Sequence, residues 1–257
     1  MNNFTYERLH NNLHYMKLDT IEAILDNYLE LAAKDSKTTM EVLDYLLEQE
    51  RKNRDAAAID RRMKCAAFPI IKTLEEFNFD FQPSIEKSVI EDLSTLRFIH
   101  NAENLVLLGP PGVGKSHLAI ALGIEAVKAG FSAYFVNTSN LIERLKKANR
   151  EGILEKKLKD LTKHKLLIID EMGYLPFDED GAHCLFQLIS KRYEKSSTIF
   201  TSNKSYGEWG EIFKDHAIAA AVLDRIPHHC TTINIKGDSY RLKERKRQGI
   251  KMGVTHT

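Results

Sequence analysis

The chain has 257 residues, of which 43% are hydrophobic and 28% are charged, and its formal net charge is only +1. This length allows one large domain or a smaller domain with a compact appendage, and the apolar content can supply a real core. No apolar run reaches the about 18 residues that a membrane span needs, and the first residues do not resemble a secretory signal. We therefore expect a cytoplasmic protein with no membrane partner.

The three cysteines, Cys65, Cys184 and Cys230, are scattered along the chain without a close pair. This spacing indicates neither a disulfide framework nor a Cys-x-x-Cys metal site. Residues 228–230 read His-His-Cys, which can suggest a metal site, but adjacent side chains point in different directions and no fourth ligand stands out. We interpret these histidines as ordinary surface or core residues.

Charge is distributed unevenly even though the total is near zero. Residues 1–50 contain ten acids and four bases, whereas residues 51–64 contain six bases and two acids. Two later stretches, 141–165 and 236–257, each contain five more bases than acids. A nearly neutral protein with separate basic patches can bind a polyanion.

The first part of the chain reads as helices. It contains no glycine or proline before Pro69. The stretches Asp19 to Glu22 and Thr38 to Glu41 each fit a capping box that opens a helix. We therefore predict a small all-helical N-terminal domain over residues 1–66, expected to contact a partner or DNA, and a larger domain over residues 67–257.

An aromatic connector follows, with Phe77, Phe79 and Phe81 at alternate positions. These rings can serve as packing anchors or can wall a pocket for a nucleotide base, and both interpretations stay open. Pro83 favours the start of a helix, which we predict over residues 84–98.

Residues 109–116 fit the pattern Gly-x-x-x-x-Gly-Lys-Ser/Thr, between an apolar stretch that predicts a strand and one that predicts a helix. Glycines let successive N–H groups turn toward phosphate, and the helix offers its positive N-terminus to the same anion. Lys115 is expected to reach the β- and γ-phosphates of a nucleotide, and Ser116 to bind Mg²⁺. The predicted nucleotide ligands are Gly109, Pro110, Pro111, Gly112, Val113, Gly114, Lys115, Ser116 and His117.

Four more apolar stretches predict strands, and helical stretches separate them. They are residues 131–136, 165–169, 197–201 and 231–235. Strands that alternate with helices predict an α/β fold, with a five-stranded parallel sheet covered on both faces. Ligands of such a sheet bind at the carboxyl ends of the strands, so residues that follow the strands are expected to meet at one edge.

Polar residues follow the predicted strands at positions suited to phosphate chemistry. Asp170 and Glu171 follow the third strand; Asp170 is expected to hold Mg²⁺ and Glu171 to polarise the attacking water. Asn203 follows the fourth strand and can hold this water or the γ-phosphate without adding charge. Arg225 can stabilise charge on the γ-phosphate, commonly from a neighbouring subunit, or can pair with Asp224 on its own helix.

In order and spacing these motifs resemble those of AAA+ ATPases. The sequence of residues 234–243, Asn-Ile-Lys-Gly-Asp-Ser-Tyr-Arg-Leu-Lys, resembles the IstB transposition-helper group, relatives of DnaC helicase loaders. The resemblance covers nearly the whole chain and implies that Arg225 is an arginine finger acting in trans, Asn203 a first sensor and Arg241 a second sensor. One departure concerns the end of the chain. Only twenty-two residues follow the fifth strand, too few for the helical lid that carries the second sensor in many AAA+ proteins.

The resemblance further implies an ATP- and Mg²⁺-dependent homo-oligomer, in the form of a ring, spiral or filament. Such an assembly binds and remodels double-stranded DNA and recruits or stimulates a cognate transposase. Lys146, Lys147 and Arg150 lie where the family has DNA-facing elements, although a solvated charged face would have the same sequence. A DnaC-like helicase loader is the alternative. A small-molecule kinase and a nucleotide-gated clamp that bends DNA are hypotheses from other classes.

Overall fold

The computed structural model describes residues 3–174 and 176–247. It divides into two compact units between Arg61 and Arg62, inside the helix Thr39–Cys65. The sequence predicts a boundary after residue 66, and the roles expected of its two domains stay predictions. None of the helices within the described ranges is both long enough and apolar enough to cross a membrane.

Helices and strands alternate through most of the second unit. The helices of the described residues are α1 (Asn3–Tyr15), α2 (Asp19–Lys34), α3 (Thr39–Cys65), α4 (Lys87–Ser94), α5 (Arg97–His100), α6 (Lys115–Lys128), α7 (Thr138–Arg150), α8 (Leu154–Thr162), α9 (Glu179–Arg192), α10 (Trp209–Phe213), α11 (His216–Arg225) and α12 (Tyr240–Arg247). The strands are β1 (Asn104–Leu108), β2 (Ala133–Asn137), β3 (Leu166–Met172), β4 (Ser197–Ser202) and β5 (Cys230–Asn234). All five predicted strands are therefore confirmed.

In the first unit, α1, α2 and the beginning of α3 share a small apolar core. Ile21, Leu25 and Tyr28 are buried on one face of α2, and Leu46 of α3 packs in the same cluster. Burial of such side chains is the main source of stability for a unit of this size.

The N-terminus of α2 is capped by a residue from another helix. The buried carboxylate of Glu50 in α3 accepts hydrogen bonds from the backbone N–H groups of Thr20 and Ile21, at 3.0 and 3.2 Å. Arg54 Nε donates to the other carboxylate oxygen at 2.7 Å. The prediction of a capping box at Asp19 is therefore wrong, because Glu50 satisfies the N–H groups that a local cap would take.

The second predicted capping box is confirmed at the start of α3. The backbone N–H of Glu41 donates to Thr38 Oγ1 at 3.3 Å, and the backbone N–H of Thr38 donates to Glu41 Oε2 at 2.8 Å. These reciprocal bonds satisfy two N–H groups that the first turn leaves free.

The second unit is built on a parallel sheet with the strand order β2-β3-β4-β1-β5. Leu108, which ends β1, lies opposite Ser202 of β4, and Asn137, which ends β2, lies opposite Asp170 of β3. Because all strands run in one direction, the residues at their carboxyl ends meet at one edge of the sheet. The predicted α/β fold with a five-stranded parallel sheet is confirmed.

The helix predicted over residues 84–98 is wrong in its extent. The chain forms two short helices there, α4 and α5, because Leu96 has a left-handed φ of 63°. The hydroxyl groups of Ser94 and Thr95 donate to the carbonyl oxygens of Glu91 and Asp92, at 2.6 and 2.7 Å. Side chains that bond to nearby carbonyl groups favour a break over a continuous helix.

Candidate active site

The loop between β1 and α6 has a backbone conformation that depends on glycine. Gly109, Gly112 and Gly114 have φ values of +146°, +82° and +104°. A Cβ on Gly112 would lie 2.1 Å from Ser239 Oγ, so a larger residue cannot take its place without movement. A loop with left-handed glycines that leads into a helix presents N–H groups and the positive helix end to an anion. The local structure is therefore that of a phosphate-binding loop.

Lys115, the first residue of α6, places its ammonium group beside this loop. Its Nζ donates to the carbonyl oxygens of Gly109 and Pro110 at 2.6 and 2.8 Å. Burial lowers the pKa of Lys115, while the carboxylates of Asp170 and Glu171 oppose this effect. The ammonium group therefore lies within electrostatic reach of both carboxylates, close to where phosphate would bind.

Three oxygen-bearing side chains from different elements form a hydrogen-bonded cluster next to the loop. Ser116 Oγ, on α6, lies 2.8 and 3.0 Å from the two carboxylate oxygens of Asp170, on β3. Thr201 Oγ1, on β4, donates to Asp170 Oδ1 at 2.6 Å. Hydroxyl and carboxylate oxygens are the ligands that Mg²⁺ prefers, so the donor set of Ser116 and Asp170 fits this ion.

Glu171 is exposed and stands on a strained backbone. Its φ is +59°, in the left-handed region, and the register between β3 and β4 shifts between Ile169 and Met172. Such a conformation costs about 1 kcal/mol or more in a residue with a side chain, and it commonly marks functional sites. The backbone N–H of Glu171 donates to Thr201 Oγ1 at 2.9 Å, and this hydrogen bond holds the backbone of Glu171 in its left-handed conformation.

Asn137, at the end of β2, holds the Glu171 side chain. Its Nδ2 donates to Glu171 Oε2 at 2.7 Å, and its Oδ1 accepts a hydrogen bond from the backbone N–H of Ser139 at 3.0 Å. Asn137 is therefore both the N-cap of α7 and a direct contact of the acidic pair. From the sequence, residues 137–140 predict only a helix cap, because the pairing of β2 with β3 is not visible there.

Asn203 lies at the same edge of the sheet as the phosphate loop. It follows Ser202, whose carbonyl oxygen accepts a hydrogen bond from the backbone N–H of Gly109 at 3.1 Å. Its side chain is exposed. The structure therefore brings Asn203 to the loop, and its role as a sensor stays a prediction.

Arg225 lies at the opposite edge of the sheet. It ends α11, and the next residue, Ile226, accepts a hydrogen bond at 3.3 Å from Asn104 Nδ2, at the beginning of β1. The Arg225 guanidinium donates to the carbonyl oxygen of Ala221 at 2.9 Å, and its Cζ lies 5.0 Å from the centre of the Phe186 ring. The structure therefore does not bring Arg225 to the phosphate loop of its own chain.

The segment after β5 returns to the phosphate loop and carries Arg241. The backbone N–H groups of Ile235 and Tyr240 donate to the carbonyl oxygens of Leu108 and Gly112, at 2.8 and 3.0 Å. The positive charge of Arg241 is close enough to contribute to the lowered pKa of Lys115, after the larger effect of burial. The structure thus places Arg241, in α12, near the loop.

Two phenylalanines of the connector act as packing anchors. Phe77 is buried, and a Cβ on Gly114 would lie 2.6 Å from its ring. Its ring also meets the His117 ring edge to face, with centroids 5.2 Å apart. Phe81 meets the Tyr240 ring in the same way, also at 5.2 Å. The connector therefore supports the loop and the segment after β5 from one side.

The basic residues predicted on α7 do not all share one surface. Lys146 and Arg150 line a groove of about 410 Å³ that also contains Glu171 and Lys214. Lys146 is ion-paired with Asp178 across this groove. Lys147 is instead paired with Glu151, the residue that follows α7, with 3.9 Å between Lys147 Nζ and Glu151 Oε1. Lys146 and Arg150 therefore share a groove with Glu171, and Lys147 lies outside it.

Together, the strand order, the phosphate loop after β1 and the acidic pair on β3 define an AAA+ P-loop ATPase. The chain is similar in fold to a crystal structure of DnaI, with a TM-score of 0.55 and 21% sequence identity. This similarity covers 64% of the present chain and 91% of that chain.

The chain belongs to the family of IstB-like ATP binding proteins, whose sequence model matches residues 11–248. It is 47% identical over 235 residues to a protein of Pseudomonas aeruginosa named as an ATP-binding protein of insertion sequence IS21, across 91% of this chain and 89% of that one. It is 45% identical over 242 residues to a protein of Geobacillus stearothermophilus similarly named for insertion sequence IS5376, across 94% of this chain and 96% of that one.

Proposed function

We propose that this ATPase serves transposition: with ATP bound it assembles on target DNA, remodels it, and recruits or stimulates a transposase. The names of the relatives support this role, because they attach the proteins to insertion sequences. The observation that carries the proposal is a direct link between the basic groove and the hydrolytic residues. Helix α7, which carries Lys146 and Arg150, is capped by Asn137, the residue that holds Glu171.

Each residue at the carboxyl edge of the sheet has a separate role in ATP hydrolysis. Lys115 binds the β- and γ-phosphates, and Glu171 accepts a proton from the attacking water. Ser116 and Asp170 would hold Mg²⁺, which neutralises charge on the phosphates when it is bound. Asn203 positions the water or the γ-phosphate through an uncharged amide.

A second copy of the chain supplies the positive charge of Arg225 to the γ-phosphate. Because Arg225 lies at the edge of the sheet opposite to its own loop, it can reach a γ-phosphate only in a neighbouring subunit. A head-to-tail contact of this kind repeats from copy to copy and produces a ring, spiral or filament. Arg241 lies near Lys115 and contacts the nucleotide of its own chain.

Double-stranded DNA binds through the basic groove in this proposal. A DNA phosphate competes with Asp178 for Lys146 and is also contacted by Arg150. Movement of α7 then changes the hydrogen bond between its N-cap, Asn137, and Glu171. Contacts to phosphates carry little sequence information, so binding is expected to be tolerant of sequence and sensitive to salt.

The mass of particles on a short DNA duplex tests the proposal. We expect large complexes with a non-hydrolysable ATP analogue and none with ADP or without nucleotide. Lys115→Ala should abolish them, Glu171→Gln should keep them assembled with ATP, and Lys128→Ala, an exposed lysine at the other end of α6, should behave as wild type. A protein that stays monomeric in every nucleotide state would contradict the proposal.

A second measurement tests the groove. Lys146→Ala and Arg150→Ala are each expected to reduce the slope of log affinity against log salt by about 0.9, the value for one phosphate contact. Lys147→Ala is the matched control and should leave the slope unchanged, because this residue lies outside the groove. Equal effects of all three variants would favour a diffuse basic surface. Binding of a replicative helicase in place of a transposase would indicate the alternative, a DnaC-like loader.

A further inference from the structure

Two adjacent histidines and a glutamate meet on the surface at the amino edge of the sheet. Glu194 follows α9, and His228 and His229 precede β5; one ligand atom from each lies within 4.8 Å of the other two. The two imidazole rings have centroids 4.2 Å apart. The side chains of His228 and His229 therefore converge with Glu194, whereas adjacent residues are expected to point in different directions. Residues 226–229 form a turn, where adjacent side chains can converge, in contrast to a strand.

The separation of these groups suits a small tetrahedral ion. His229 Nε2 lies 3.6 Å from Glu194 Oε1. Zinc bonds of about 2.0 to 2.1 Å place neighbouring ligand atoms of a tetrahedron about 3.4 Å apart. Two imidazole nitrogens and one carboxylate oxygen are ligands that Zn²⁺ commonly uses, with water in the fourth position. Mg²⁺ fits poorly here, because it prefers oxygen ligands alone.

A hydrogen bond already orients one of the two histidines. The hydroxyl group of Tyr193 lies 2.9 Å from His228 Nδ1. This contact occupies one ring nitrogen and leaves Nε2 of His228 for a metal ion. Ligating histidines in metal sites typically have a partner on the second ring nitrogen, which fixes the orientation of the ring.

We propose that Glu194, His228 and His229 form a binding site for a divalent transition-metal ion of the zinc class. The ion joins the turn after α9 to the turn between α11 and β5. Arg225, the last residue of α11, is separated from His228 by only two residues, so a bound ion fixes the chain next to the arginine that we assign to a neighbouring active site. The metal site itself does not depend on that assignment.

Zinc binding to the tag-free full-length chain tests the proposal. The protein is freed of metals with a chelator, transferred to buffer with millimolar Mg²⁺ to occupy oxygen-only sites, and titrated with ZnCl₂ by calorimetry. We expect wild type to bind one equivalent of zinc and Glu194→Gln and His229→Ala each to lose this binding. Tyr193→Phe should weaken affinity about tenfold, because it removes the hydroxyl group that orients His228. His183→Ala removes an exposed histidine of α9 and should bind zinc as wild type does.

Cobalt provides a readout that needs no variant. Co²⁺ in a four-coordinate site with histidine ligands has intense visible absorption, and ZnCl₂ should abolish it by displacement. Loss of this absorption in His228→Ala, with unchanged thermal unfolding, would support the assignment. Zinc binding that is equal in wild type and in the Glu194 and His229 variants, or absent from wild type, would overturn it.

Discussion

An equal mixture of two inactive variants, Arg225→Ala and Glu171→Gln, is expected to hydrolyse ATP. In the proposed assembly each active site combines Glu171 of one subunit with Arg225 of its neighbour. A site is complete in the mixture when its own subunit carries the Arg225 change and its neighbour carries the Glu171 change. With random neighbours, about one quarter of the sites meet both conditions, so about one quarter of the wild-type rate should return.

The geometry of the sheet sets this expectation. Arg225 is anchored beside Asn104, the first residue of β1, whereas the phosphate loop follows Leu108, the last. A strand rises about 3.3 Å per residue, so about 13 Å separate the two ends of β1. Removing an arginine finger lowers the rate by about a thousandfold or more, and removing a general base by about a hundredfold or more. Each variant alone should therefore show little activity.

The assay is phosphate release in the presence of DNA, with the variants mixed before ATP is added. A mixture of Arg225→Ala with the double variant Arg225→Ala/Glu171→Gln is the control, and it should stay inactive because no subunit supplies the arginine. No recovery in the first mixture, with particle masses showing that the variants assemble together, would refute action across subunits.

Three further predictions concern residues that the sequence alone does not identify. Asn137→Ser keeps a helix cap but removes the amide that holds Glu171. We expect the rate of ATP hydrolysis without DNA to rise by up to about tenfold, because the variant loses one hydrogen bond to a charged group. Thr201→Val removes the hydroxyl that bonds to Asp170 and to the Glu171 N–H; unfolding in urea should show a loss of about 1 to 3 kcal/mol, together with weaker ATP hydrolysis. Glu50→Ala removes the cap of α2 and should destabilise the first unit by about 2 kcal/mol, measured by hydrogen exchange of the α2 amides.

The last of these predictions includes a pH dependence. Burial raises the pKa of Glu50, but hydrogen bonds from Arg54 and from the N-terminal amides of α2 lower it by more, so its pKa in the folded protein is below the ordinary value. Glu50 therefore contributes stability above the pKa of the unfolded chain and loses this contribution as pH falls toward its folded pKa. The difference between wild type and Glu50→Ala should shrink below about pH 4.

Specific outcomes would contradict each of the three. An unchanged DNA-free rate in Asn137→Ser would show that the amide does not restrain Glu171. A Thr201→Val protein with wild-type stability would mean that its hydroxyl contacts contribute nothing. A Glu50→Ala difference that stays constant with pH would exclude the ionised carboxylate as the cap, and Asp44→Ala, which removes an exposed acid of the same helix, is the matched control.

Contiguous features of the chain could be predicted from the sequence. The phosphate loop is one continuous segment, and its glycines and lysine carry their chemistry in their order and spacing. The five strands are short apolar stretches between helical ones, so their number and parallel arrangement follow from the pattern. The capping box at Thr38 and Glu41 is local for the same reason. Each of these features depends on residues close together in the chain.

Contacts between distant segments were decided by the tertiary structure. Thr201 reaches Asp170 only because β4 pairs with β3, and Asn137 reaches Glu171 only because β2 lies on the other side of β3. Glu50, which lies in α3, caps α2 in place of a residue of α2 itself. The edge of the sheet on which Arg225 lies depends on how α11 meets β1. Hydrogen bonds and metal sites require atoms within a few ångströms of one another. Residue order determines which chemical groups are available, and packing determines which of them come within that distance.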